Sequence, residues 1–108
     1  METITMKQLN TIPKINRTLE YSNGSPVDLT GATVYFHMGV LSDSSPYRSG
    51  LCVVTGLTTG KCSYNWNTLD TAVPGAYWGE FEVNWGNGSI MTIPSDNNLK
   101  IKIYEGYN

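Results

Sequence analysis

An all-β, antiparallel β-sandwich of about seven short strands is the fold class this sequence predicts. Two observations carry the expectation: apolar and polar residues alternate in run after run, and turn signals separate the runs at regular spacing. A third acts by exclusion, because no segment sustains apolar residues at helical spacing. The clearest run is Ala76 to Trp85. Tyr77, Phe81, Val83 and Trp85 share one parity, while Glu80, Glu82 and Asn84 share the other. Side chains alternate faces along a strand, so this segment reads as half-buried, with one apolar and one wet face.

The other elements follow in order. Residues 1–12 read as an N-terminal arm or as a first edge strand. Ile15, Arg17, Leu19 and Tyr21 alternate with polar neighbours until the turn Asn23-Gly24-Ser25-Pro26. Val34, Phe36 and Met38 form the apolar face of the next strand, with Thr33, Tyr35 and His37 opposite. Gly39 to Gly50 is polar and turn-rich, an exposed loop with room for a short edge strand. Leu51–Thr55 and Lys61–Trp66 make a hairpin around Gly56–Gly60, and Thr68–Val73 allows one turn of helix before Pro74-Gly75. Asn87-Gly88 predicts a two-residue type I′ turn. That turn sets Trp85 opposite Ile90 and Val83 opposite Thr92, with Met91 and Ile93 on the outer face beside Glu80 and Glu82. Leu99, Ile101 and Ile103 then face in, and Lys100, Lys102 and Tyr104 face out. The expected core is Leu19, Val34, Phe36, Tyr64, Trp66, Phe81, Val83, Trp85, Leu99 and Ile101, in one sandwich over 13–105 with a tail at 106–108.

At 108 residues, 40% hydrophobic and 15% charged, the chain is large enough for one packed core and too sparsely charged for a disordered tail. It has no long apolar run for a membrane span. A net charge of −2 with no basic run argues against nucleic acid as a partner. The first ten residues have no apolar core of a signal peptide, so synthesis and residence in a cytoplasm, with reduced thiols, is expected.

Few residues invite chemistry. A five-residue loop would pair Cys62 with Val54 and Cys52 with Tyr64, placing both cysteines on the core face as diagonal neighbours. Diagonal neighbours lie roughly 7–8 Å apart, beyond the usual disulfide reach of about 4.4–6.8 Å. Two free buried thiols are therefore expected rather than a bridge. His37 is the single histidine, too little for a metal site with scattered carboxylates, and no serine sits in a nucleophile-elbow motif. Glu80 and Glu82 point the same way from one strand instead of flanking a cleft, so they read as a solvated face. Asp28, Asp43, Asp70 and Asp96 fall in turns, where aspartate bonds its own backbone, and no spacing of a calcium loop is present. No catalytic, cofactor or metal residue is expected. Tyr47, Tyr104, Tyr107, Trp78 and Tyr35 fall in loops, near the C-terminus or on outward parities, and aromatic and arginine side chains commonly anchor interfaces. Tyr47, Arg48, Trp78 and Tyr104 are the candidate contact residues.

Several segments, in this order, resemble a known family: Pro26-Val-Asp-Leu-Thr-Gly-Ala32 into Val34–Met38; Thr59-Gly60 before Tyr64; Asp70-Thr-Ala-Val-Pro-Gly-Ala-Tyr77; Gly79-Glu-Phe-Glu-Val83; Gly86-Asn-Gly88; Ile93-Pro94; and Leu99–Ile103. The match, over roughly 15–105, is to the immunoglobulin-like domain at the N-terminus of phage baseplate upper proteins and related phage or prophage tail proteins. The resemblance implies an immunoglobulin-like sandwich without enzymatic activity or cofactor. It also implies a virion protein assembled in the host cytoplasm, docking onto other tail or baseplate proteins and homo-oligomeric in the particle. The sequence stops at Asn108 without a coiled-coil shaft or receptor-binding part, so a stand-alone adaptor or decoration protein, or a piece of a longer one, is the expectation. A capsid decoration or fibre protein and a carbohydrate-binding module contacting the host surface are the competing readings.

Overall fold

The structure, a computed structural model, describes residues 2–43, 45–93 and 99–106. Among these residues there are nine strands and no helix: β1 (Glu2–Lys7), β2 (Ile15–Thr18), β3 (Thr33–Val40), β4 (Arg48–Leu51), β5 (Val53–Gly56), β6 (Lys61–Tyr64), β7 (Gly75–Asn84), β8 (Ile90–Ile93) and β9 (Leu99–Tyr104). They form two sheets packed as an all-β sandwich of immunoglobulin-like character. The larger has the order β1-β9-β7-β3-β4, with β8 also on β7; the smaller is β2-β6-β5.

The long strand read from alternation, β7, organises the large sheet. One edge pairs with β3 from Tyr77↔Val40 to Asn84↔Thr33. The other edge is shared, its first half pairing with β9 and its second half with β8. Tyr77, Phe81 and Val83 are buried while Trp78, Glu80, Glu82 and Asn84 are partly exposed, as the alternation requires. Against them pack Val34, Phe36 and Met38 of β3 and Leu99, Ile101 and Ile103 of β9. Phe36 lies at the centre, its ring centroid 4.6 Å from Tyr64, 5.2 Å from Phe81 and 5.8 Å from Trp66. Burying such aromatic clusters contributes more than area alone, because edge and tilted ring contacts add to it.

Several expectations are corrected. Residues 2–7 are an edge strand, and β1 runs parallel to β9, so the sandwich is not uniformly antiparallel. The run from Leu51 to Thr55 is two strands: β4 belongs to the large sheet, β5 to the small one, and the chain changes layer at Cys52, whose N–H donates to Val34 O at 2.8 Å. Thr68–Val73 is a series of turns rather than helix. The β7–β8 hairpin is one residue out of the expected register. Asn87 keeps a negative φ, whereas Gly86 and Gly88 take φ of 80° and 94°. Asn84 and Asn87 each accept an N–H from two residues ahead, and Trp85 N donates to Ser89 O at 3.1 Å. The loop is therefore Gly86–Gly88, and Val83 faces Met91. A one-residue slip exchanges the faces of a strand. Met91 and Ile93 turn towards the core and Ile90 points outward, and Trp85 is only partly buried against the core. The other expected core residues are buried.

Candidate functional site

Strand directions gather three connections at one end of the sandwich: residues 8–14, residues 41–43 and 45–47, and residues 65–74. The last is built around Asp70, which is buried. Its Oδ1 accepts from Arg48 Nε at 2.9 Å, and its Oδ2 accepts from Asn67 N at 2.9 Å and from the Tyr64 hydroxyl. Burial, then the bond to Asp70, pushes the Tyr64 hydroxyl pKa up, and the same carboxylate raises that of Arg48. A buried carboxylate costs several kcal/mol unless paired and hydrogen-bonded. Here β4, β6 and the loop each supply a donor, so the charge fixes three elements at once.

The other loops are tied in by side chains distant in sequence. Gln8 Nε2 donates to Ala72 O at 2.8 Å, while its Oε1 accepts from Gly106 N at 3.2 Å. Thr71 Oγ1 donates to Asn10 O at 2.9 Å, and Trp66 Nε1 to Pro13 O at 3.0 Å. Tyr77 donates to Val73 O at 2.6 Å. Trp78 Nε1 donates to Asp43 O at 2.7 Å and anchors the chain just after β3. Gly39 lies beneath that indole, where a Cβ would come within 2.4 Å of the ring.

On this scaffold stand apolar side chains that are not buried. Leu9, Ile12, Leu69 and Val73 are each more than half exposed, and Val40, Leu41 and Tyr47, at the same end of the sandwich, are exposed as well. Leu9 has φ 68°, a left-handed conformation uncommon for a residue with a Cβ, and its N–H donates to Thr71 O at 2.9 Å. Strain of this kind persists where surroundings over-determine it, and it concentrates at functional surfaces.

The four candidate contact residues fall at or near this end. Tyr47 stacks on Tyr77 at 5.5 Å between centroids and is partly exposed. Arg48 is bound to Asp70, with about a third of its side chain in solvent. Trp78 is partly covered by the loop it holds. Tyr104 is on the outer face of β9, with Lys102 Nζ 5.4 Å from its ring centroid, and its carbonyl accepts from Gln8 N at 2.8 Å. The structure thus joins Tyr47 and Arg48 in one cluster and leaves Trp78 and Tyr104 on the flank. Leu9, Ile12, Leu69 and Val73 escaped the sequence reading. Their signal was a large apolar residue inside a turn-rich segment, where no strand face needs one.

The remaining polar groups are placed as follows. Cys52 and Cys62 are free and buried, with Val54 opposite Cys62 in the expected register. The hydrogen bond between the thiols, then burial, pushes the Cys52 pKa up. His37 joins Ser49 and Glu82 across three neighbouring strands on the outer face, with Nδ1···Oγ at 2.6 Å and Nε2···Oε1 at 2.9 Å. A carboxylate oxygen accepts here, so Nε2 donates to Glu82, and the Ser49 hydroxyl can either donate to or accept from Nδ1. Asp28 and Asp43 accept from Thr30 and Ser45, two residues ahead, and the Thr30 hydroxyl and N–H lower the Asp28 pKa. Asp70 is no simple turn residue, and Asp96 and Tyr107 lie outside the described residues. Among those residues, no three histidine, cysteine or carboxylate side chains gather as a metal site. The chain matches no protein-family model and no curated protein.

Proposed function

We propose that the protein is a non-enzymatic structural component of a phage or prophage virion, an immunoglobulin-like adaptor that docks on other virion proteins through its braced loop end and recurs in several copies in the particle. One observation carries the docking surface: Leu9, Ile12, Leu69 and Val73 are held in solvent on loops cross-tied by long-range hydrogen bonds. Apolar side chains fixed in place before binding lose little entropy on association. The virion assignment is supported by the ordered resemblance to phage tail domains.

The test uses particles purified from a host carrying the gene, with the chain located by mass spectrometry and electron microscopy. Wild-type protein should co-purify at the tail or baseplate. The double variant Leu9→Asp/Leu69→Asp should fold and be depleted from particles. Location on the capsid would replace the tail reading with decoration, and absence of the wild-type chain from particles would reject the virion assignment.

A further inference from the structure

Strand β4 is the last strand of the large sheet, so one of its edges faces no strand among the described residues. In an antiparallel ladder, successive residues turn their N–H and C=O groups alternately towards the partner and away from it. Cys52 N bonds Val34 O, and the register pairs Gly50 with Phe36. Gly50 and Cys52 therefore point towards β3, while Ser49 and Leu51 direct both backbone groups to the open edge. Natural edge strands are commonly guarded by lysine, proline or an inward charge. Here no charged residue and no proline occurs from Ser49 to Gly60, and the preceding Arg48 is turned onto Asp70. Leu51 is 62% exposed and Val53 52%.

We propose that this edge pairs with the same edge of a second copy, β4 against β4 in antiparallel register about a two-fold axis at Gly50. Ser49 of each copy then lies opposite Leu51 of the other, and each such pair exchanges two backbone hydrogen bonds. The pairing is self-complementary, as a two-fold contact must be. It sets no like charges opposite one another, because the strand carries none beyond Arg48. Gly50 meets Gly50 at the axis, and a Cβ there would point into each copy's own core, within 2.5 Å of its Tyr64 ring. Each Leu51 is laid beside Ser49 of the other copy, over the Ser49–His37 pair. The two large sheets become one continuous sheet. This gives a surface to the self-association in the function proposed above and rests on that reading for its setting, but it is tested on the isolated protein.

Ser49→Cys and Leu51→Cys single variants are made in the full chain and oxidised separately and as a mixture. The native Cys52 and Cys62 are buried, and each single variant alone serves as their control. Cross-strand hydrogen-bonded pairs have Cα atoms about 5.5 Å apart, within disulfide reach. The expected result is a covalent dimer in the mixture, linked 49 to 51 by peptide mapping, with at least a tenfold lower yield in either variant alone. Sedimentation of wild-type protein should show a concentration-dependent dimer that Leu51→Lys abolishes while leaving the thermal melt, taken at concentrations where both proteins are monomeric, unchanged. Equal cross-linking in the single variants, no cross-link in the mixture, or a wild-type protein monomeric up to millimolar concentration each overturns the proposal. None of these outcomes depends on whether the protein is found in virions.

Discussion

The two ends of the sandwich are closed by different means. At the end holding residues 20–32, 57–60 and 85–89, most side-chain bonds are local: Asn23, Asp28, Asn84 and Asn87 each accept from a residue two positions ahead. At the other end the bonds of Gln8, Arg48, Trp66, Thr71 and Trp78 reach partners 22 to 98 residues away. A local bond shapes its own turn and can form before the fold does. A long-range bond exists only in the folded chain, and it holds one loop in fixed relation to another. The first arrangement closes a sandwich economically, whereas the second builds a surface of defined shape.

That comparison can be broken at Asp70. Asp70→Asn removes the charge that collects Arg48, Tyr64 and Asn67, and because Arg48 is a third exposed the loss should be about 2–3 kcal/mol rather than the larger cost of a fully buried pair. Denaturant unfolding checks this, and a loss below about 1 kcal/mol would show that the brace is not organised by the carboxylate.

Alkali should act on the same end. The Tyr64 hydroxyl pKa is raised in the folded protein above its ordinary value of about 10, by burial first and the Asp70 bond second. Above that pH the unfolded chain loses a proton that the folded chain keeps, so ionisation favours unfolding. The stabilisation is complete below about pH 10 and declines as pH rises beyond it. Melting temperature should fall more steeply across that window in the wild type than in Tyr64→Phe.

Smaller effects separate the two ends further. Gln8→Ala removes two long-range bonds and should cost about 1 kcal/mol. Asn23→Ala, at an exposed local turn, should change stability by less than about 0.5 kcal/mol. Equal losses in the two variants, measured by the same unfolding experiment, would erase the distinction.

Most of the fold was legible because period-two alternation is a strong signal where one face is buried. Phe81, Val83, Leu99 and Ile101 took the predicted side. The failures occurred where backbone detail competes with pattern. Gly86 was available to widen the Asn87-Gly88 turn, and its use moved Met91 and Ile93 to the other face. The layer change at Cys52 left no mark, since Leu51 to Thr55 alternates acceptably as one strand. Of the candidate site, Tyr47 and Arg48 were visible through residue type. Leu9, Ile12, Leu69 and Val73 were not, because exposure of an apolar side chain in a loop depends on how distant loops pack together. Asp70 stood in a segment already noted, but its burial required Arg48 and Tyr64 to converge from elsewhere.

The parallel pairing of β1 with β9 has a mechanical consequence. The chain enters β1 level with the middle of β7 and leaves β9 at the end that carries the braced loops, with the two strands in register from Glu2↔Leu99 to Lys7↔Tyr104. A pull along the long axis, applied through these two strands, would slide one past the other. Their hydrogen bonds would then share the load simultaneously instead of opening one at a time. A domain wired in this way resists tension far better than one whose terminal strands can be peeled apart.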